Sequence, residues 1–232
     1  MTPGERETDE DGRLVEAISP ERFRPFLHEC RGHRARALRL YAWDSEVARA
    51  LQSPLRDLEV GLRNRLHRQL AGRHGQEAWW DVPKARPNHK GRDMLDRAME
   101  TLESRRPYRP FGPCDVVAQL SFGFWVSLIG RGGKDNYEMK YWNSSLRHVF
   151  REHRGGRDDL YRKFQFMLTL RNRIAHHERV FQRHLEQDLA TALTLLRYVS
   201  PEMADRHEKH GRVPEVLARR EAVLSGREPV RL

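Results

Sequence analysis

The stretch Leu170-Arg171-Asn172-Arg173-Ile174-Ala175-His176-His177-Glu178-Arg179 closes a run of apolar residues that begins near Asp158 and recurs at helical spacing. It sets a permanent cation, an amide and an imidazole within one and a half helical turns. Arginine stays protonated and grips phosphate oxygens with a rigid fork of donors, while histidine takes or gives a proton near neutrality. Together these groups suit phosphodiester chemistry. On an ideal helix Arg171 falls at the centre of the stripe made by Leu160, Phe164, Met167 and Ile174, whereas Asn172 and His176 share another face. Arg171 and His176 then diverge by about 140°. Either the helix ends or distorts before His176, or the two residues meet across an interface with a second copy.

An arginine on an apolar stripe needs a partner, because burying it alone is costly. The partner is expected on the strongest amphipathic run of the first half, Pro54 to about Ala71, where Leu55, Leu58, Leu62, Leu66 and Leu70 step by three and four. Glu59 lies about 30° from the centre of that stripe. A Glu59–Arg171 contact follows from two opposite charges intruding on two apolar faces. Full burial of the pair would make Arg171 structural; access to it leaves Arg171 free for phosphate. His176 and His177 stand near a helix C-terminus, where the macrodipole favours a charged imidazole. Adjacent histidines point apart, no H-E-x-x-H is present, and His184 is the only other histidine nearby in sequence, so no metal site is expected. Glu178 either solvates the turn or orients an imidazole. Arg173, His177 and Arg179 read as a basic rim for backbone phosphates.

Outward from these two runs the chain reads as helices. Ser19-Pro20-Glu21 is an N-cap, a proline at the first helical position and an acidic first turn, opening a helix with Phe23, Phe26 and Leu27. A second helix is expected from Arg34 to Leu51, with Leu38, Tyr41, Ala42, Ala48 and Leu51 as its face. Ser53-Pro54 then repeats the cap-and-proline signal and opens the third. Trp79-Trp80-Asp81 anchors a connection, and Asn88 to Arg106 is helical. Pro107, Pro110, Gly112 and Pro113 punctuate a loop. Cys114 to Ile129 is the most apolar helix, in which Gly123 among aromatics predicts close helix packing. A shorter helix spans Lys140 to Arg151. Asp158-Asp159 places negative charge at the start of the motif helix. Leu185 to Leu196, Ser200-Pro201-Glu202 to about His210, and Val213 to Leu224 supply the last three. No segment alternates with period two, so the fold class is all-α. Leu62-Arg63-Asn64-Arg65-Leu66-His67 echoes the motif with one residue fewer before the histidine.

The 232 residues can bury a core without disulfides or metal, and Cys30 and Cys114 match no zinc or redox pattern. A reducing cytoplasm fits. Residues 1–12 lack the basic-then-apolar order of a secretory signal, and Val116 to Gly130 is too short and too polar to span a bilayer. The net charge of +10 favours a polyanionic partner. Arginine outnumbers lysine 37 to six, a bias that phosphate binding and genomic base composition can each produce.

The R-x4-H spacing of Arg171 and His176, with Asn172 after the arginine, resembles the motif of the HEPN superfamily. Four blocks extend the likeness: Leu58-Glu59-Val60-Gly61-Leu62-Arg63-Asn64, Trp79-Trp80-Asp81, Leu120-Ser121-Phe122-Gly123-Phe124-Trp125, and Leu170 to Glu178. In order and approximate spacing they resemble the Abi-like (AbiD/AbiF-type) abortive-infection family. The resemblance implies a HEPN-type helical bundle with additional N-terminal and C-terminal helices: residues 1–18 a flexible tail, 19–210 the helical domain, 211–232 a C-terminal helix or tail. It further implies a cytoplasmic homodimer with a composite site and a role in phage defence or as a toxin–antitoxin effector. The activity implied is that of a metal-independent endoribonuclease using Arg171, His176 and Asn172, with no cofactor. RNA is the expected partner, as target and as a small noncoding RNA antitoxin. The alternative is a non-catalytic protein that holds a structured small RNA.

Overall fold

The computed structural model describes residues 3–105 and 108–231, with side chains from residue 10 onward. Met1, Thr2, Arg106 and Pro107, on which parts of the tail, helix and loop expectations fall, lie outside the described residues. The elements are α1 (Pro3–Ile18), α2 (Pro20–Glu29), α3 (Arg34–His74), α4 (His89–Arg105), α5 (Pro113–Gln119), α6 (Phe122–Ile129), α7 (Arg157–Ala175), α8 (Leu185–Val199), α9 (Pro201–His210), α10 (Val213–Ala218) and α11 (Arg220–Leu224). Short 3-10 turns and one π-helix, Glu138–Asn143, join them. No strand occurs among the described residues, and the fold is all-α.

Two of the three expected caps act as read: Ser19 Oγ accepts from Arg22 N–H at 3.2 Å and Ser200 Oγ from Met203 N–H at 3.4 Å. Asn88, not expected as a cap, also accepts through Oδ1 from Gly91 N–H at 3.0 Å. Pro54 does not break a helix, contrary to expectation: α3 runs 41 residues through it. The buried side chains Leu40, Trp43, Val47, Leu51, Leu55, Leu58, Leu62, Leu66 and Leu70 stay in phase across the proline. Each contributes about 1.5–3 kcal/mol on burial, together outweighing the ~3 kcal/mol cost of an interior proline. The buried face of the first half accordingly carries Leu40, Trp43 and Val47 rather than Leu38 and Tyr41. The helix expected over Cys114–Ile129 is two, because Leu120 is extended and Ser121 caps Phe124 N–H. Gly123 does not mark a close approach, since a Cβ there would stand 3.7 Å from its nearest neighbour. Gly61 does: a Cβ would come 3.0 Å from Val199 Cγ2. Residues 140–151 hold most of the π-helix and a 3-10 turn instead of an α-helix. The expected single helix over 213–224 is broken at Arg219, and the expected tail includes α1.

The chain forms two compact units. The first combines residues 1–53, 173–187 and 211–232. Phe26 packs against Phe181 and Tyr41 at ring distances of 4.8 and 5.3 Å. Residues 211–231 are built in: Trp43 Nε1 donates to the Val216 carbonyl at 2.9 Å, and Arg219 Nη1 meets the buried Glu46 at 3.0 Å. The second unit combines residues 54–172 and 188–210. Its core holds the leucines of α3 from Leu55 onward, Trp79 among Trp80, Phe124 and Tyr141, and Leu160, Phe164, Met167 and Leu170 of α7.

Candidate functional site

In the second unit Arg171 Nε donates to Glu59 Oε2 at 3.1 Å, and Nη1 lies 3.4 Å from Asn172 Oδ1. The contact expected from two misplaced charges is therefore present. It is not sealed: the Arg171 side chain is 39% exposed and that of Glu59 19%. Glu59 thus fixes the guanidinium through one nitrogen and leaves its outer end without a carboxylate partner among the described residues. The sequence echo shares the arginine–asparagine contact, Arg63 Nε to Asn64 Oδ1 at 3.3 Å. Its histidine differs, since His67 is buried with Nε2 2.8 Å from Glu77.

Residues 173–179 belong to the first unit. α7 ends at Ala175, and His176 stands at its C-cap. His177 N–H bonds to the Ile174 carbonyl at 3.1 Å and Glu178 N–H to the Arg173 carbonyl at 2.8 Å. This crossed pair is a Schellman ending, with His177 at the left-handed position, φ 56°. The backbone leaves the helical path after His176, and both histidines are exposed. Two long-range contacts hold the turn. Arg22 donates to the His177 carbonyl, and Asp44 Oδ1 accepts from Val180 N–H at 2.9 Å and Phe181 N–H at 2.7 Å. Burial pushes the Asp44 carboxyl up to about 6, against the opposing pull of the two N–H groups, Arg22 and Arg173.

A cleft of about 830 Å³ opens beside this turn. Phe26, Tyr41, Ala48 and Ile174 give it an apolar floor; Arg22, Arg49, Arg173, Arg179 and His177 stand with Glu21, Asp44 and Glu178 around it. Arg173, His177, Glu178 and Arg179 are thus brought together, while Arg171, Asn172 and Glu59 stand in the second unit and His176 does not line the cleft. Glu178 faces Arg173 Nε at 3.4 Å, so part of the expected basic rim is offset. Asp44, Arg22 and Tyr41 were not among the sequence candidates. Asp44 could have been found as Glu59 was, as a carboxylate set between Trp43 and Val47 on a buried stripe.

The second unit carries its own cleft, about 680 Å³, lined among others by Asn64, Arg65, Arg68, His148, Arg151 and Arg197. Arg197 is paired with Asp205 and Glu208, both at 2.7 Å. Among the described residues no group of three or more His, Cys, Asp or Glu side chains could hold a metal ion, and no helix is long and apolar enough to cross a membrane. Comparison of the chain with protein-family models, curated proteins and solved structures finds no match.

Proposed function

We propose that the protein is a metal-independent endoribonuclease of HEPN type, acting in phage defence or as a toxin–antitoxin effector. The ribose 2′-hydroxyl attacks its own phosphate, expelling the 5′-oxygen and leaving a 2′,3′-cyclic phosphate. His176 takes the hydroxyl proton or donates one to the leaving oxygen, Arg171 offsets the charge growing on the phosphorane, and Asn172 orients the guanidinium. The nucleophile is internal to the substrate, so the reaction needs no metal. A homodimer of motif helices is part of this reading. The observation that carries it is the half-exposed Arg171, anchored through Nε by Glu59 with its outer nitrogens uncommitted to a carboxylate. RNA cleavage in EDTA, ending in cyclic phosphates and abolished by His176→Ala and Arg171→Ala in folded protein, is the expected result. Equal cleavage of DNA, which has no 2′-hydroxyl, overturns it.

A second reading, a non-catalytic holder of a structured small RNA, is favoured by the arginine-lined clefts of both units. His176→Ala separates the two. Binding alone survives that substitution, whereas growth arrest on expression through cleavage does not.

A further inference from the structure

The cleft of the first unit has features that phosphate binding alone does not use. Its floor is apolar and aromatic, with Tyr41 set edge-on to the buried Phe26 and Ile174 beside them. One wall carries Asp44, a carboxylate only 7% exposed. Asp44 Oδ1 is occupied by the two backbone N–H groups, and Oδ2 has no hydrogen-bond partner among the described residues. An acceptor fixed in place beside an aromatic floor and below a rim of arginines is the arrangement by which a flipped-out base is read: stacking on the face, hydrogen bonding on the edge, phosphate at the mouth.

We infer that this cleft binds a single extruded guanine of the RNA, with Asp44 Oδ2 accepting from its N1–H and N2–H edge and Tyr41 and Ile174 against its face. The inference rests on RNA being the partner. Guanine is the base whose Watson–Crick edge places two donors side by side. Adenine and cytosine each set a ring-nitrogen acceptor next to their amino donor, and uracil flanks its single N–H with two carbonyls, so each brings an acceptor against the carboxylate. Gln52 lines the same cleft and its side-chain amide supplies a donor for the guanine carbonyl, the Ser45 hydroxyl being spent on the Tyr41 carbonyl at 3.2 Å. Arg22 and Arg179 stand on the rim for the adjoining phosphate; Arg22 is held by the His177 carbonyl and Arg179 by Gln182 at 3.1 Å, neither by a carboxylate.

The test is calorimetric titration of the full chain with GMP, AMP, CMP, UMP and ribose 5-phosphate. GMP is expected to bind at least about tenfold tighter than the other four, the worth of one hydrogen bond to a charged group. Asp44→Asn keeps an oxygen for the two N–H groups and turns a donor toward the base, so it is expected to erase the GMP preference and leave ribose 5-phosphate unchanged. A GMP affinity equal to that of ribose 5-phosphate, a tighter fit for another base, or an Asp44→Asn variant that binds GMP as the wild type does overturns the inference. If Asp44→Asn does not fold, Ala48→Trp, which fills the cleft, is judged by the same GMP comparison. His176→Ala keeps the two readings apart. Guanine-selective binding without any cleavage sinks the nuclease and spares the pocket; cleavage by a protein with no base preference does the reverse.

Discussion

Asp44 gives the sharpest stability experiment in the molecule, because its charge and its hydrogen bonds act in opposite directions. Replacement by alanine leaves the buried Val180 and Phe181 N–H groups without their acceptor. At about 1–3 kcal/mol for each orphaned donor, the loss is about 2–6 kcal/mol. Replacement by asparagine keeps the acceptor and removes the buried charge. Lifting the carboxyl from its ordinary 3.8 to about 6 corresponds to about 3 kcal/mol. The folded state holds the proton more tightly than the unfolded one, so this contribution is fully present below pH 3.8 and is lost as pH rises through 6. Urea denaturation followed by tryptophan fluorescence between pH 4 and 7.5 is the assay. Asp44→Asn should match the wild type near pH 4 and exceed its stability by up to about 3 kcal/mol above pH 7. Asp44→Ala should be the least stable at pH 4 and recover part of its deficit as pH rises. An Asp44→Asn protein as unstable as Asp44→Ala, or a constant difference from the wild type across this range, refutes the reasoning.

Glu59→Gln should change stability by less than about 1 kcal/mol, since Arg171 is 39% exposed. RNA cleavage should nevertheless fall by about 10–100-fold as the guanidinium loses its anchor, and unchanged turnover would remove Glu59 from the site. His177→Gly relieves the left-handed backbone at φ 56° and should raise stability by about 0.5–1 kcal/mol; a lowered Tm would mean the imidazole itself holds the turn. Trp79→Ala should cost about 3–5 kcal/mol. Trp79→Phe should cost far less, because the indole N–H makes no hydrogen bond to be lost.

What the sequence discloses here is local or doubly marked. The caps at Ser19 and Ser200 are written in the proline and glutamate that follow each serine. The Glu59–Arg171 contact was legible because each charge interrupts an apolar stripe. Pro54 misleads because its cost is local, whereas the in-phase burial from Leu40 to Leu70 that overrides it is tertiary. The π-helix of residues 138–143 depends on distant partners: Tyr141 donates to the Ala85 carbonyl at 2.8 Å, and neighbouring Tyr137 accepts from Asn88 N–H at 2.7 Å. Neither can be read from residues 138–143. Asp44 is half legible: its place on the buried stripe between Trp43 and Val47 marks a carboxylate in need of partners, but the two N–H groups it serves lie 136 and 137 positions away. The helix end at Ala175 is intermediate. The 140° divergence called for it or for an interface, and the form the ending takes is set by the backbone of Arg173 to Glu178.

The assembly of the first unit from three separated stretches governs how the protein is born. Trp43 waits for Val216, 173 positions downstream, before its indole finds the carbonyl that satisfies it. At about 5–20 residues per second the ribosome takes roughly ten to thirty seconds to make the span between residue 53 and residue 211. Throughout that interval the nascent chain shows Trp43 without Val216 or Arg220, whose guanidinium lies 5.1 Å from its ring, an invitation to chaperones and to self-association. A translation stall after residue 179 would release a polypeptide that has the arginine–histidine stretch but not residues 211–232, which complete the unit carrying His176.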